Sequence, residues 1–334
     1  MQALVYTKDK ELPKLQQVEV PLPAPKDNEI LIKVEASCLN NAEISKFRDL
    51  ITAGKNILPL GLTNETKPKA NGKILGTDVA GVVVDVGSKV TKFKKGDQVF
   101  GITGYFYDAW AEYSCLAEKN AALKPSNLSF EESAAIPTTG GTALAALRKA
   151  AIKPKQKVLV NGATGGVGLF VLQMAKNAGA YVTAVCSTKN IELVKKYGAN
   201  EVVDYQQEDV TAQHLKDKYD VIIVINGYHP ISDYQRILRY SGHLVIIGGK
   251  FSQTVSAILL GPLMTLGRKK QIGATSLIAL RGNWMSDLAE MAEKKQIQPY
   301  LDHVFSWNEI DQALEYAVKE HTKGKVAIKI GDDK

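Results

Sequence analysis

Cysteine is scarce. The 334 residues include three, Cys38, Cys115 and Cys186, far apart and odd in number. None stands at the close spacing of a metal or redox pair, which fits reduced thiols in a cytoplasmic protein and not a disulfide framework. The five histidines are equally dispersed, so no local metal-ligand cluster can be read from the chain. No apolar run is long enough to span a bilayer. The first residues, MQALVYTKDKELP, are strand-like and lack the apolar core of a secretory leader. Nor is there a tract of one charge. The net charge of +7 is scattered, with small clusters in RKAAIKPKQK and GRKKQ. Such a balance suits an anionic cofactor, and most of these lysines read equally well as a solvated surface.

What is present is the composition of a globular protein, with 45% hydrophobic and 23% charged residues. The length favours two domains over a single core. The organising stretch lies at residues 157–205. It runs as a short apolar strand (KVLV), a glycine turn (NGATGGVG), an amphipathic helix closed by Gly179, and a second β-branched strand at 181–185. Strand, glycine turn, helix and strand together place a pyrophosphate on a helix N-terminus. Gly162, Gly165 and Gly168 recur every third residue with Gly166 between them. One glycine permits the tight turn, one lets the backbone approach the phosphates, and one lets helix and strand pack closely. The turn residues Gly165, Gly166 and Val167 are therefore candidate cofactor-binding residues.

Residues 1–125 are β-rich. Short runs at 3–6, 15–20, 30–36, 79–86, 98–101 and 110–116 are separated by Pro, Gly, Asn and Asp, which favours a compact barrel. A short helix is expected over 41–50, and the polar segment 52–73 is expected to form a partial lid. Ser129 and Glu132 form a capping box for a helix that breaks at Pro137 and restarts over 139–150. Strands are then expected at 201–204, 220–225, 243–247 and 271–277, with helices at 210–216 and 234–240. Six strands with intervening helices make a doubly wound parallel sheet, so the class is α/β. The tail carries helices at 284–295 and 307–320 and strands at 302–305 and 326–330, and is expected to complete the first domain.

ILIKVEASCLNNAE, LGTDVAGVVVDVGSKVTKFKKGDQVFG, EESAAIPTTGGTALAAL, NGATGGVG and HTKGKVAIKI together resemble the medium-chain dehydrogenase/reductase superfamily, specifically its zinc-independent, zeta-crystallin-like quinone oxidoreductases. The likeness covers essentially the whole chain. It implies a GroES-like catalytic domain (1–125 and 278–334), a Rossmann domain (126–277) and an interdomain cleft. In zinc-dependent relatives the first metal ligand falls at the position of Asn40, and a Gly-His-Glu signature falls on Gly76-Thr77-Asp78. Asn and Thr do not replace a thiolate and an imidazole, so no metal is expected. The resemblance also implies Asn40 near the nicotinamide, the turn Gly248-Gly249-Lys250-Phe251 along the cofactor, and Thr139, Asn226 and Ser276 as further cofactor contacts. Asn40 either hydrogen-bonds the acceptor oxygen or is a turn residue. Where relatives carry a substrate-lining tyrosine, this chain has Ser45, Lys46 and Phe47. Tyr105 and Tyr107 either fill that space or lie on the barrel surface.

The second strand of the dinucleotide unit ends Cys186-Ser187-Thr188-Lys189 with no acid to hold a ribose 2′-hydroxyl. A hydroxyl and an ammonium attract a 2′-phosphate, so Ser187 and Lys189 point to NADPH, and the resemblance adds Tyr205 as a phosphate contact. The expected activity is hydride transfer from NADPH to a quinone or an α,β-unsaturated carbonyl. The expected assembly is a homodimer joined at the last strand of the sheet. Two alternatives remain: an enoyl-thioester reductase, and a nucleic-acid-binding protein like zeta-crystallin. No aromatic-basic interleaving supports the latter, so nucleic acid is not the expected partner.

Overall fold

A computed structural model describes residues 1–8, 13–53, 73–103, 107–226, 229–248, 270–275 and 283–331. The chain divides into two compact units. One comprises Met1–Thr138, Asn283–Glu293 and Pro299–Lys334, the other Thr139–Gly282 and Lys294–Gln298.

The first unit opens with β1 (Gln2–Lys8), β2 (Pro13–Glu19), β3 (Glu29–Cys38) and helix α1 (Asn41–Thr52). It continues through β4 (Lys73–Ile74), β5 (Asp78–Val86), β6 (Gln98–Ile102), β7 (Tyr113–Ala117) and β8 (Ala121–Leu123). Helix α2 (Phe130–Ala134) starts on the expected capping box: the Glu132 amide donates to Ser129 Oγ (3.1 Å) and the Ser129 amide to Glu132 Oε2 (2.9 Å). The chain breaks and restarts as α3 (Pro137–Ala150), with proline in the first turn, where its missing N–H costs nothing.

In the second unit β9 (Lys157–Asn161), α4 (Gly166–Asn177), β10 (Tyr181–Cys186), α5 (Ile191–Lys196) and β11 (Glu201–Asp204) follow one another. Then come β12 (Tyr219–Val224), α6 (Ile231–Ile237), β13 (Leu238–Ile246) and β14 (Gln271–Ala274). All six strands are parallel, in the order β11-β10-β9-β12-β13-β14. Counted within the unit this is 3-2-1-4-5-6, the doubly wound order whose reversal lies beside the first strand. The expected α/β class is borne out. The central strands β9 and β12 are almost wholly buried because helices cover both faces of such a sheet.

The chain returns to the first unit with α7 (Trp284–Glu293), β15 (Leu301–Ser306), α8 (Ile310–Lys319) and β16 (Lys325–Lys329). One sheet runs β15-β16-β3-β5-β6-β8, with β7 also on β3, and a second runs β2-β1-β4. Both line one apolar core, from Leu4 and Leu15 through Ile30, Ile32 and Phe47 to Leu314 and Ile328. Trp110, expected within a strand, lies fully buried just before β7. Its carbonyl accepts from the Leu4 amide (2.9 Å) and its amide donates to Leu75 O (2.8 Å), fastening the turn beside β1.

Two expected helices differ. The stretch 210–216 forms only a single 3₁₀ turn, Gln213–Leu215. The helix expected at 234–240 sits earlier, at Ile231–Ile237, and the next strand begins at once at Leu238. Pro230 fixes the start. At the other end the Lys270 ammonium donates to Gln235 O (2.8 Å) and Leu238 O (2.6 Å), satisfying carbonyls that another helical turn would have used. Residues 54–72 of the expected lid (52–73), Tyr105, Gly249, Lys250, Phe251 and Ser276 lie outside the described residues.

Candidate active site

In the first unit three strand ends converge. The end of β3 lies against the start of β5, with Cys38 opposite Asp78. It also lies against the start of β16, with Ala327 opposite Cys38 and the Leu39 amide on Val326 O (3.0 Å). This register brings Asn40, Asp78 and Lys325 together although Asn40 and Lys325 are far apart in the chain. Lys325 is 5% exposed, Asn40 8% and Asp78 0%.

The Lys325 ammonium donates to Asn40 Oδ1 (2.6 Å) and to Leu39 O (2.7 Å), and lies 3.6 Å from Asp78 Oδ2. The Asn40 Nδ2 group donates to Asp78 Oδ2 (3.1 Å). An ammonium can only donate and a carboxylate only accept, so the two ends of the carboxamide are assigned by chemistry. Asn40 is the N-cap of α1; its backbone N–H donates to Glu43 Oε2 (2.9 Å), and Glu43 Oε1 accepts from the Thr77 hydroxyl (3.0 Å). Asp78 Oδ1 accepts from the Thr138 amide (3.0 Å) and hydroxyl (2.5 Å).

Burial pushes both the Glu43 and Asp78 carboxyls up, and Lys325 pulls each partly back. The Asp78 carboxyl accepts three hydrogen bonds and faces the ammonium, whereas Glu43 accepts only from the Asn40 amide and the Thr77 hydroxyl. Cys38, fully buried beside this set, has its thiol pushed up to about 12 by burial and is inert at neutral pH. Phe47 has turned into the core against Tyr6, and Ser45 is exposed. Tyr107 lies with its ring under the Lys73 ammonium (4.5 Å to the centroid) and near that of Lys46 (5.8 Å).

In the second unit the glycine turn closes β9 and opens α4, with Gly165 as N-cap and Gly166 and Val167 as its first residues. Gly162 has φ +87°, which favours glycine, and a Cβ there would stand 2.9 Å from the Asn226 amide. A Cβ on Gly168 would come within 2.3 Å of Gly162 O, so helix and strand approach as only glycine permits. A Cβ on Gly165 would meet nothing nearer than 3.9 Å, leaving room over the free amides at the helix start. The turn therefore fits a pyrophosphate. Asn226 follows β12, and Gly248 follows β13 with a would-be Cβ 2.6 Å from Ile225 O, so both flank the turn at the carboxyl ends of the strands.

Ser187, Lys189 and Tyr205 gather at the ends of β10 and β11, where the Tyr205 amide donates to Cys186 O (3.1 Å). Tyr205 is exposed and Ser187 buried. Thr139 sits in the first turn of α3, 7% exposed. Residues missed by sequence reasoning are Lys325, Glu43, Thr188, Asn190 and Asp204. An acid does stand beside the end of β10, supplied by the neighbouring strand: Asp204 accepts from the Thr188 hydroxyl and from the Gln206 amide (3.0 Å). Asn190 donates to Ser187 Oγ (3.1 Å), and its buried Oδ1 has no partner among the described residues.

Residues 26–143 match the family described as alcohol dehydrogenase GroES-like domain, and 197–328 the family described as zinc-binding dehydrogenase. The chain is 32% identical over 324 residues to a chloroplastic quinone-oxidoreductase from Triphysaria versicolor, covering 94% of this chain and 93% of that one. It is 29% identical over 318 residues to a chloroplastic NADPH-dependent alkenal/one oxidoreductase from Arabidopsis thaliana, covering 92% and 73%. A solved quinone oxidoreductase from Coxiella burnetii matches with TM-score 0.80 at 25% identity over 99% of both chains. The two plant relatives overturn the cytoplasmic expectation, since both carry chloroplast names. Scattered thiols separate reducing from oxidising surroundings and do not tell one reducing compartment from another. The residues at the metal position do not fit zinc. They offer an amide, a hydroxyl and a carboxylate already bound to an ammonium, and no group of three His, Cys, Asp or Glu among the described residues could hold a metal.

Proposed function

The chain belongs to the medium-chain dehydrogenase/reductase superfamily, within its quinone oxidoreductase group, and is an oxidoreductase that uses a nicotinamide cofactor. On that premise we propose that it reduces quinones and α,β-unsaturated carbonyls with NADPH and without a metal. The observation that carries this reading is the Asn40 carboxamide, held between Lys325 and Asp78 where a metal ligand would otherwise stand.

The bound dihydronicotinamide supplies the hydride; the chain's own residues bind, orient and exclude water. The amides of Gly165, Gly166 and Val167 hold the pyrophosphate, with Thr139, Asn226, Gly248, Gly249, Phe251 and Ser276 as further contacts. Ser187, Lys189 and Tyr205 hold the 2′-phosphate. Asp204, already engaged by Thr188 and Gln206, opposes that charge less than a free carboxylate would. One N–H of Asn40 Nδ2 remains after the bond to Asp78, and it donates to the acceptor oxygen as negative charge develops there. A quinone or enone delocalises the incoming charge itself, so a neutral donor suffices.

The homodimer belongs to the same reading. It rests on β14, the outermost strand of the second unit's sheet among the described residues. The test is a screen of NADPH oxidation across quinones, enals, enones and enoyl thioesters, with dissociation constants for NADPH and NADH measured alongside. Turnover of quinones and enones with tighter NADPH binding supports the reading; equal affinities refute the 2′-phosphate assignment.

A further inference from the structure

The buried ammonium of Lys325 has no part in the chemistry the relatives' names describe, yet it is bonded to the one side chain placed at the acceptor. We propose that Lys325 is a positioning and polarising residue for Asn40: its ammonium fixes the carboxamide so that a free N–H points outward, and strengthens that N–H as a donor to the developing oxyanion. The inference rests on the acceptor-binding role of Asn40 given above.

At 2.6 Å the Lys325–Oδ1 bond is a short charge-assisted hydrogen bond. Drawing electron density toward Oδ1 leaves the Nδ2 protons more positive. One of them is spent on Asp78 Oδ2, whose charge balances the ammonium, so the pair adds no net charge to the core. Neither partner can turn away. Lys325 is anchored by Leu39 O as well as by Asn40, and Asp78 by both donors of Thr138. The carboxamide cannot flip, because flipping would set an N–H against an ammonium and an oxygen against a carboxylate. A positive charge is thus kept one carboxamide behind the reacting oxygen, where zinc-dependent relatives place a metal in direct contact with it.

The test is a double-mutant cycle in the full chain with Lys325→Met, Asn40→Ala and the pair, using NADPH with methyl vinyl ketone and with 1,4-benzoquinone. Removing a donor to an oxyanion outright costs about 10²–10³ in kcat, so losing only its polarisation should lower kcat on the enone about tenfold to a hundredfold. The KM for NADPH should not move. The benzoquinone rate, whose transition state needs less help, should fall by less than about threefold. In the Asn40→Ala background the lysine effect should vanish, because the two residues act through one bond. Additive losses, or equal losses on both acceptors, overturn the proposal.

If Lys325→Met does not fold, Lys325→Arg takes its place in the cycle. It keeps the charge but changes the donor geometry, so it should reproduce part of the enone loss; an enone rate equal to wild type with Arg overturns the proposal. An independent readout needs no acceptor. With ¹⁵N-asparagine labelling, the Asn40 side-chain amide protons should resonate downfield of other asparagines and move upfield in whichever lysine variant folds. Unchanged shifts overturn the polarisation. Failure of wild-type protein to oxidise NADPH with any acceptor would instead remove the proposed function and leave this measurement standing.

Discussion

The glycine turn of the second unit and the polar cluster of the first are built in opposite ways. The turn is local. Gly162 to Gly168 are consecutive in sequence, and the chemistry they offer is backbone amide and empty space. The cluster is non-local, with Asn40, Asp78 and Lys325 meeting only because β3, β5 and β16 are neighbours in one sheet. A local site depends on glycine geometry and tolerates change around it, whereas an assembled site depends on each charge finding its partner.

The largest effect that sharpens this contrast is expected at Asp78. Asp78→Asn leaves the Lys325 ammonium buried without its counter-charge, and breaking such a pair costs about 3–5 kcal/mol. Chemical denaturation should show that loss, and a cost below about 1 kcal/mol would mean that the pair does not hold the three strand ends together. Gly168→Ala comes next. Its Cβ would stand 2.3 Å from Gly162 O, and overpacking of this kind costs about 1–3 kcal/mol, while Gly165→Ala should leave the melting temperature unchanged. Equal melting temperatures for the two alanine variants would break the assignment of separate roles to these glycines.

The third effect concerns the cofactor. Lys189→Ala should weaken NADPH binding about tenfold and leave NADH unchanged, as expected for one exposed charge-assisted contact. Equal weakening of both by isothermal titration would place Lys189 elsewhere on the cofactor. The smallest effect is at Glu43, whose carboxyl is raised by burial. As pH climbs past the ordinary glutamate range, the unfolded chain releases this proton and the folded protein keeps it, so stability falls with rising pH until the folded group also ionises. Glu43→Gln can still accept from the Asn40 amide and meet Thr77. It should match wild type near pH 4 and be the more stable of the two near pH 8. A variant less stable than wild type at pH 8 would show that Glu43 is ionised.

The same contrast explains what could be read in advance. The parallel sheet, the glycine turn, the capping box at Ser129 and the break at Pro137 are carried by neighbouring residues, and each was legible. So was Asn40 as a singular residue, through the likeness of its segment to metal-binding relatives. Its partner was not. Lys325 sits in KGKVAIKI, where it reads as one more solvated lysine, and only the register of β16 on β3 buries it. Asp204 escaped notice for a related reason: an acid was sought at the end of the second strand, and the third supplies one from alongside. The shift of α6 toward Pro230 depends on Lys270, a lysine far outside any local window.

Central to all of this is the claim that a buried lysine behind an asparagine stands where relatives hold a metal. The most direct test is the rate of NADPH oxidation by an enone after exhaustive dialysis of the protein against a strong chelator. The account predicts an unchanged rate that Lys325→Met lowers and added zinc does not restore. A rate abolished by the chelator and recovered with zinc would contradict it.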